Sequence, residues 1–211
     1  MAQKKDKEEM KEKRIISNGA NYPFNWRLGN LDSNIVIENK DLNVQIKRYL
    51  ITTSRGKILY DVLGINESLN NTVTIIRNQM GKIGLIWEWR PIPAKWFWAC
   101  VRGFGDLVDN NNSETGKREL IEEIGNCEIL NSKKIGVLYQ NTTFYENPVG
   151  LVLIDVDVHN KKITTHQLNH AEGIFDFQFF DKREILEMIK NEKIEDTFTL
   201  SALIKYFSIS D

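Results

Sequence analysis

The sequence predicts an α+β fold, in which helices cover a mixed β-sheet and a small β-rich region precedes it. Short runs rich in β-branched residues recur from about residue 35 onward, separated by turn residues, and such runs are typical of strands. Three helical segments come later, near 114–124, after Asp181 and near 197–207. A chain in which strands dominate and helices are inserted late favours this class.

The N-terminal part divides into two segments. Residues 1–14 mix Lys, Glu and Asp with almost nothing to bury, so we expect a disordered tail. Residues 15–70 are predicted to form the small β region, with strands at 35–37, 44–46 and 49–53 and a hairpin turn at Ser54-Arg55-Gly56. This region has too few apolar residues for a core of its own, which makes it a possible dimerisation element.

The main domain is predicted to span residues 71–211. Its expected strands lie at 73–76, 83–89, 96–98, 149–158 and 175–179. The first helix is framed by Ser113 as N-cap and Gly125 as C-cap, residue types that suit those positions. Asp181 is followed three residues later by Glu184, which predicts a capping box at the start of the second helix.

Composition and charge exclude several classes of protein. The chain of 211 residues has 28 basic and 29 acidic side chains, for a formal net charge of −1, so no basic surface for nucleic acid or an anionic membrane is expected. It shows neither a secretory signal nor a stretch of the roughly 20 apolar residues that a membrane span needs. Cys100 and Cys127 follow no metal or disulfide spacing. We therefore expect buried reduced thiols and a cytoplasmic location.

The first helix carries the chemistry-bearing residues. On a helical wheel Glu119, Glu122 and Glu123 fall within an arc of about 100°, and the apolar residues Leu120, Ile121 and Ile124 are expected on the opposite side. Carboxylates three and four residues apart repel each other, and either full solvation or a bound cation offsets that repulsion. Carboxylate oxygens are suited to Mg²⁺, with Mn²⁺ as a second possibility. Arg118 is placed to orient one of the glutamates.

Taken alone, three clustered glutamates also fit the solvated face of a protein–protein adaptor. Residues 118–125 read Arg-Glu-Leu-Ile-Glu-Glu-Ile-Gly and resemble the second half of the Nudix hydrolase signature at every specified position but the last, where Asn126 stands in place of an apolar residue. The first half departs from the signature. If Gly103 is the leading glycine, Asp109 stands at the glutamate position, and the loop is one residue longer.

Other segments, within a resemblance that spans roughly residues 40–207, are similar to the ADP-ribose pyrophosphatase branch of that family. They are Trp87-Glu88-Trp89-Arg90-Pro91, Trp98-Ala99-Cys100-Val101-Arg102-Gly103-Phe104, and Ile194 to Leu203. One departure is Ala99, where the branch usually has a glutamate. The resemblance implies the Nudix fold and Mg²⁺-dependent hydrolysis of a nucleoside diphosphate linked to another group, with ADP-ribose or a related nucleotide sugar as the leading substrate. It also implies a homodimer built by the N-terminal β region.

The resemblance assigns roles to individual residues. Glu119, Glu122 and Glu123 would hold metal together with the backbone carbonyl of Arg102. Arg90 would bind a substrate phosphate, and Gly103 belongs to the substrate-binding segment.

The general base is expected on the loop at 164–173, where Glu172 is the first candidate and His170 the second. The tryptophans at 87, 89, 96 and 98 could stack on a base, although alternating strand aromatics are more often core or dimer packing. The altered loop at Asp109 and the alanine at 99 keep open a second interpretation, a Nudix-fold module that senses a nucleotide sugar without cleaving it.

Overall fold

A computed structural model describes the backbone of residues 27–28, 34–39, 44–53 and 56–65, and residues 70–125, 127–142, 145, 147–157 and 168–209 with their side chains. The chain divides into two compact units, Met1–Asn66 with Asn141–Asn147 and Glu67–Gln140 with Pro148–Asp211. The predicted tail at 1–14 and the turn residues Ser54 and Arg55 lie outside the described residues.

The first unit contains a four-stranded antiparallel sheet in which β3 pairs with each of the other strands. The strands are β1 Arg27–Leu28, β2 Asn34–Asn39, β3 Val44–Thr53 and β4 Gly56–Ile65. The sequence predicted two strands at 44–46 and 49–53; they are one, because β4 pairs with it continuously from Val44 to Thr53. The role of this region in a homodimer stays a prediction.

The second unit is built on a seven-stranded mixed sheet. Its main path runs β11-β6-β5-β10-β9, with β7 beside β6 and β8 beside β5. Only the pair of β5 and β10 is parallel among the described strand pairs of this sheet. The strands are β5 Thr72–Asn78, β6 Ile83–Arg90, β7 Lys95–Ala99, β8 Val101–Gly103, β9 Glu128–Leu138, β10 Val149–Asp157 and β11 Ile174–Phe180.

The three predicted helices are present as α1 Asn112–Ile124, α2 Lys182–Lys190 and α3 Thr197–Ile209. The N-cap of α1 is Asn111 rather than Ser113, because the Asn111 side chain accepts the backbone N–H groups of Ser113 and Glu114. Gly125 is the C-cap as predicted, with φ of 84°. The capping box of Asp181 and Glu184 is also confirmed.

Apolar residues on both faces of the sheet are buried beneath helices. On one face, β5 contributes Val73 and Ile75 to a core shared with α2 and α3. On the other, Ile76 packs in a core shared with Leu120 and Ile124 of α1. Each of these five side chains is fully buried, and such burial stabilises the fold by about 1.5–3 kcal/mol per side chain. The sheet is therefore sandwiched between helices, which confirms the predicted fold class.

Strand β9 was not predicted from the sequence. It lies at the edge of the sheet, pairs only with β10 among the described strands, and has a largely exposed pattern that includes Leu130 at 52%. An edge strand with few buried positions lacks the strict alternation by which strands are recognised.

Among the described residues neither Cys100 nor Cys127 takes part in a disulfide; Cys100 is buried, as predicted, whereas Cys127 is half-buried. Burial raises the pKa of the Cys100 thiol to about 12. Within the part of the chain that the structure describes, no helix combines the length and apolarity needed to cross a membrane.

Candidate active site

Helix α1 lies unusually close to the sheet at two glycines. A Cβ atom on Gly116 would lie 2.8 Å from Oγ1 of Thr74 on β5, and one on Gly103 would lie 1.8 Å from Cδ of Glu119. A side chain at residue 103 would therefore occupy the space that the Glu119 carboxyl group fills. This is why a glycine is required at the end of β8.

The three glutamates of α1 are not equivalent. Glu119 and Glu123 are buried, with 8% and 4% exposure, whereas the Glu122 side chain is 49% exposed. The prediction that Ile121 packs into the core was wrong, because it is 42% exposed. The face of α1 that packs on the sheet thus contains Glu119 and Glu123 beside Leu120 and Ile124. The prediction had placed all three carboxylates on the opposite side of the helix.

Arg118 connects the loop before α1 to two of the glutamates. Its Nη1 lies 2.8 Å from Oε1 of Glu119 and 2.8 Å from Oε2 of Glu122. Its Nη2 donates to the backbone oxygen of Phe104 at 2.6 Å and to Oδ2 of Asp109 at 3.0 Å. Arg118 thus contacts two glutamates rather than one, and its orienting role stays a prediction.

Asp109 supports the altered loop despite its short side chain. It is 9% exposed and accepts hydrogen bonds from Arg118 and from the backbone N–H of Asp106. Burial alone would raise the pKa of Asp109, but these hydrogen bonds outweigh it and hold the pKa below its ordinary value. An ionised aspartate therefore links the loop to the helix through Arg118.

The end of β6 contributes a buried carboxylate that sequence reasoning missed. Glu88 is 2% exposed; its Oε2 lies 2.5 Å from Nη2 of Arg90 and its Oε1 lies 3.2 Å from Nη2 of Arg102. Ala99, the departure from the glutamate of the branch that the sequence resembles, is fully buried on the neighbouring strand. The available signal was the position of Glu88, two residues before the arginine already singled out.

The loop with the two candidate bases is hydrogen-bonded to both α1 and β6. The backbone N–H of Asn169 donates to the carbonyl of Glu123 at 2.9 Å, and the N–H of Trp89 donates to the carbonyl of Gly173 at 2.8 Å. Between these anchors, His170–Glu172 forms a 3₁₀ turn. Residues 164–167 of the predicted loop lie outside the described residues.

The two candidate bases differ in their contacts. Nδ1 of His170 lies 2.8 Å from the carbonyl oxygen of Ile174, and its ring lies against Phe175. Glu172 is exposed, and its charge acts on both Glu119 and Glu123. The structure thus brings Glu172 into the electrostatic environment of the helix carboxylates.

Charge crowding shows in the pKa values of the buried glutamates. Burial raises the pKa of Glu119 to about 7 against the opposing effect of Arg118. The pKa of Glu123 is raised well above its ordinary value, first by burial and then by Glu88, Glu119 and Glu172, while Arg90 lowers it.

The donors at this site are carboxylate oxygens, the type that hard divalent cations prefer. Oε2 of Glu123 is buried and has no hydrogen-bond partner among the described residues, and a buried unpaired oxygen of this kind is costly. A cation would supply the missing partner for that oxygen and oppose the charges that raise both pKa values. Within the described ranges no group of three or more His, Cys, Asp and Glu side chains is arranged so that it could hold a metal ion. The metal assignment, including the carbonyl of Arg102, therefore stays a prediction.

The four tryptophans form one aromatic cluster across β6 and β7. Trp87 stacks on Trp96 with ring centroids 5.7 Å apart, and Trp96 also contacts Trp89 and Phe175 edge to face. Most of these rings are half-buried, and Trp89 is 37% exposed. They pack chiefly on one another, as the packing interpretation expects.

Comparison with protein-family models and with curated proteins finds no match. Among solved structures, the chain is similar to the crystal structure of an ADP compounds hydrolase, with a TM-score of 0.64 and 14% sequence identity. The match covers 83% of this chain and 89% of that chain. That protein has the Nudix fold, so the likeness shows a Nudix-like fold for this chain. At this level of identity it shows the fold alone.

Proposed function

We propose that this chain is a Mg²⁺-dependent hydrolase that cleaves the diphosphate bond of a nucleoside diphosphate linked to another group, with ADP-ribose or a related nucleotide sugar as its leading substrate. The observation that carries the proposal is the pair of buried carboxylates on α1, Glu119 and Glu123, one of which has an unpartnered oxygen. Such perturbed carboxylates in a crowded site are typical of functional centres.

Glu119 and Glu123 would hold the metal, with Glu122 and the carbonyl of Arg102 as further candidates. When bound, Mg²⁺ would neutralise phosphate charge and favour ionisation of the attacking water. Mn²⁺ would serve the same donors.

Arg90 would bind the substrate diphosphate. Its side chain is 37% exposed, so a ligand can reach it, and its charge acts on Glu123. An arginine offers five N–H donors. Among the described residues, the contact with Glu88 is the only ion pair of Arg90. Gly103 contributes by leaving room for the Glu119 carboxyl group.

Glu172 would accept the proton of the attacking water. Water would add to one phosphorus, the bond from that phosphorus to the bridging oxygen would break, and two phosphomonoesters would leave. For ADP-ribose these are AMP and ribose 5-phosphate. His170 is the second candidate base: its Nδ1 donates to the carbonyl of Ile174 in the tautomer that satisfies this contact, which leaves Nε2 as an acceptor.

The proposal is tested by incubating the protein with Mg²⁺ and a panel of ADP-ribose, other nucleotide sugars and dinucleotides, with chromatographic detection of mononucleotides. We expect release from at least one member and none in EDTA. If the folded protein releases nothing from any member, the proposal is wrong. Glu172→Gln and His170→Asn then separate the two bases, since loss of the base lowers the rate by about 10²-fold or more and loss of the other side chain does not.

A second candidate function is a binding module that recognises the nucleotide sugar without cleaving it. It is favoured by the contacts of Arg118, which engage Glu119 and Glu122, two of the three glutamates proposed as metal ligands. Ligand-dependent thermal stabilisation without any product would favour this function over hydrolysis.

A further inference from the structure

We propose that Glu88 and Arg102 form a positioning pair for Arg90: Glu88 holds the Arg90 guanidinium at the end of β6, and Arg102 shares the charge of Glu88 so that Arg90 stays available to a substrate diphosphate. This inference rests on the proposed function. It adds Glu88 to the site and gives the side chain of Arg102 a role distinct from that of its backbone carbonyl.

Glu88 uses each of its oxygens for a different arginine. Oε2 contacts Nη2 of Arg90 at 2.5 Å, and Oε1 contacts Nη2 of Arg102 at 3.2 Å. With 2% exposure Glu88 is nearly withdrawn from solvent, so these two contacts fix its rotamer. The guanidinium of Arg90 is fixed in turn, since its contact partner cannot move toward water.

Arg102 is held on its far side by the start of α3. Its Nη1 lies 3.2 Å from Oδ1 of Asp196, and its guanidinium carbon lies 5.2 Å from the centroid of the Phe198 ring. Asp196 itself accepts hydrogen bonds from the backbone N–H and the hydroxyl of Thr199, at 2.9 and 2.7 Å. The row Asp196–Arg102–Glu88–Arg90 thus alternates in sign and is anchored in α3.

The alternation of charges determines how much positive charge Arg90 presents to a ligand. If Glu88 had Arg90 as its sole partner, the pair would neutralise itself, and a diphosphate would have to compete with a buried carboxylate for the guanidinium. Because Arg102 takes one oxygen of Glu88, the attraction of Glu88 for Arg90 is shared. The buried Nε of Arg90 has no partner among the described residues, which leaves donor capacity on this side chain.

Stability alone does not explain such a row, because apolar residues of similar size often stabilise a fold as well as buried ion pairs do. The same sheet offers a contrast in the pair of Arg77 and Asp155, with Nε 2.7 Å from Oδ1 and side-chain exposures of 32% and 20%. That pair serves as a matched control for the loss of an ion pair away from the site.

The test is a double-mutant cycle between Glu88→Gln and Arg90→Ala, measured as KM and kcat for ADP-ribose with saturating Mg²⁺. We expect Glu88→Gln to raise KM about tenfold and to change kcat by less than about threefold. In the Arg90→Ala background the same substitution should change KM by less than about twofold, because the group that it positions is gone. Equal effects in both backgrounds would overturn the proposal.

Arg102 is tested by a graded pair of variants. Arg102→Met should raise KM about fivefold and Arg102→Lys should restore it to within about twofold, since lysine keeps the charge that offsets Glu88. Asp155→Asn should leave KM unchanged. If both Arg102 variants lower the melting temperature but leave KM at the wild-type value, the pair is structural and the positioning role is rejected. These variants keep the test decisive should Glu88→Gln fail to fold.

The design separates this inference from the proposed function. If the wild type hydrolyses ADP-ribose but the cycle is additive, only the positioning role is rejected. If it does not hydrolyse, the same cycle is measured on the Kd of ADP-ribose in EDTA by calorimetry, where a non-additive cycle supports positioning without catalysis. If the wild type neither hydrolyses nor binds any member of the nucleotide panel, both proposals are wrong.

Discussion

Charged side chains are arranged differently at the two ends of β6. The strand begins beside Arg77 of β5, where the pair of Arg77 and Asp155 is partly exposed and each charge has one counterion. It ends at Glu88 and Arg90, where Glu88, Glu119 and Glu123 are all less than 9% exposed. Acidic groups are crowded and buried at this second end, but paired and hydrated at the first.

This difference distinguishes the end whose ion pair only stabilises the fold from the end whose charges have a further role. A partly exposed ion pair contributes modestly and leaves no group unsatisfied. Burying several carboxylates together is unfavourable unless they are paired, and Oε2 of Glu123 is left without a partner among the described residues. The charge pattern at the crowded end is therefore the one in this unit that a bound ligand would complete.

The largest effect that tests this difference between the two ends is expected for Glu123→Gln. At the crowded end the substitution should lower kcat by about 10³-fold, or about 4 kcal/mol of transition-state stabilisation, while the melting temperature in EDTA stays equal or rises. Asp155→Asn at the paired end should lose some stability and keep kcat within about twofold. A Glu123→Gln enzyme as active as the wild type would remove the metal assignment.

The pH dependence of stability is the next largest effect. Because the pKa of Glu119 is raised from 4.5 to about 7, the folded protein retains a proton that the unfolded chain has released. The free energy of unfolding in EDTA should therefore fall as pH rises from about 4.5 to about 7, with about 3 kcal/mol of the fall due to Glu119; Glu123, whose pKa is also raised, adds to it. Urea titrations at several pH values measure this slope.

Two additions sharpen that measurement. Mg²⁺ at pH 8 should recover the lost stability, since it binds the ionised carboxylates of the folded state. Glu119→Gln should reduce the slope and leave the part that Glu123 contributes, whereas Asp155→Asn should keep the whole slope. A slope that Glu119→Gln leaves unchanged would place the titrating group elsewhere.

A third test compares two glycines at opposite ends of the sheet. Gly103→Ala places a Cβ where the Glu119 carboxyl group lies, so that side chain should move aside at little cost in stability, and kcat should fall about 30-fold, or about 2 kcal/mol. Gly84→Ala places a Cβ 2.5 Å from Cζ of Phe177, which should lower the melting temperature and preserve kcat. The reverse pattern would contradict the assignment of Glu119.

The smallest effect is expected for Glu122→Gln. Because this side chain is half-exposed and paired with Arg118, we expect a loss of less than about fivefold in kcat/KM, in line with the modest strength of exposed ion pairs. Assays of Glu122→Gln and Glu123→Gln side by side measure the contrast. Equal losses would show that all three glutamates act together.

Much of the local structure could be predicted from the sequence. The three helices, the C-cap at Gly125 and the capping box at Asp181 follow from short-range patterns. The roles of α1 could only be proposed, because a wheel places Glu119, Glu122 and Glu123 on one arc without saying how far the sheet extends over it. β9 and the continuity of β3 were missed because pairing partners, rather than local pattern, define them.

By itself, the sequence determined which residues form α1 and that its glutamates share one side, because helical geometry depends on residues within a turn or two of each other. Only the tertiary structure decided that Glu119 and Glu123 are buried while Glu122 is not. It also brought Glu88 together with Arg102, fourteen residues away in sequence. Burial and long-range pairing depend on strand register, which residues far apart in the chain set jointly.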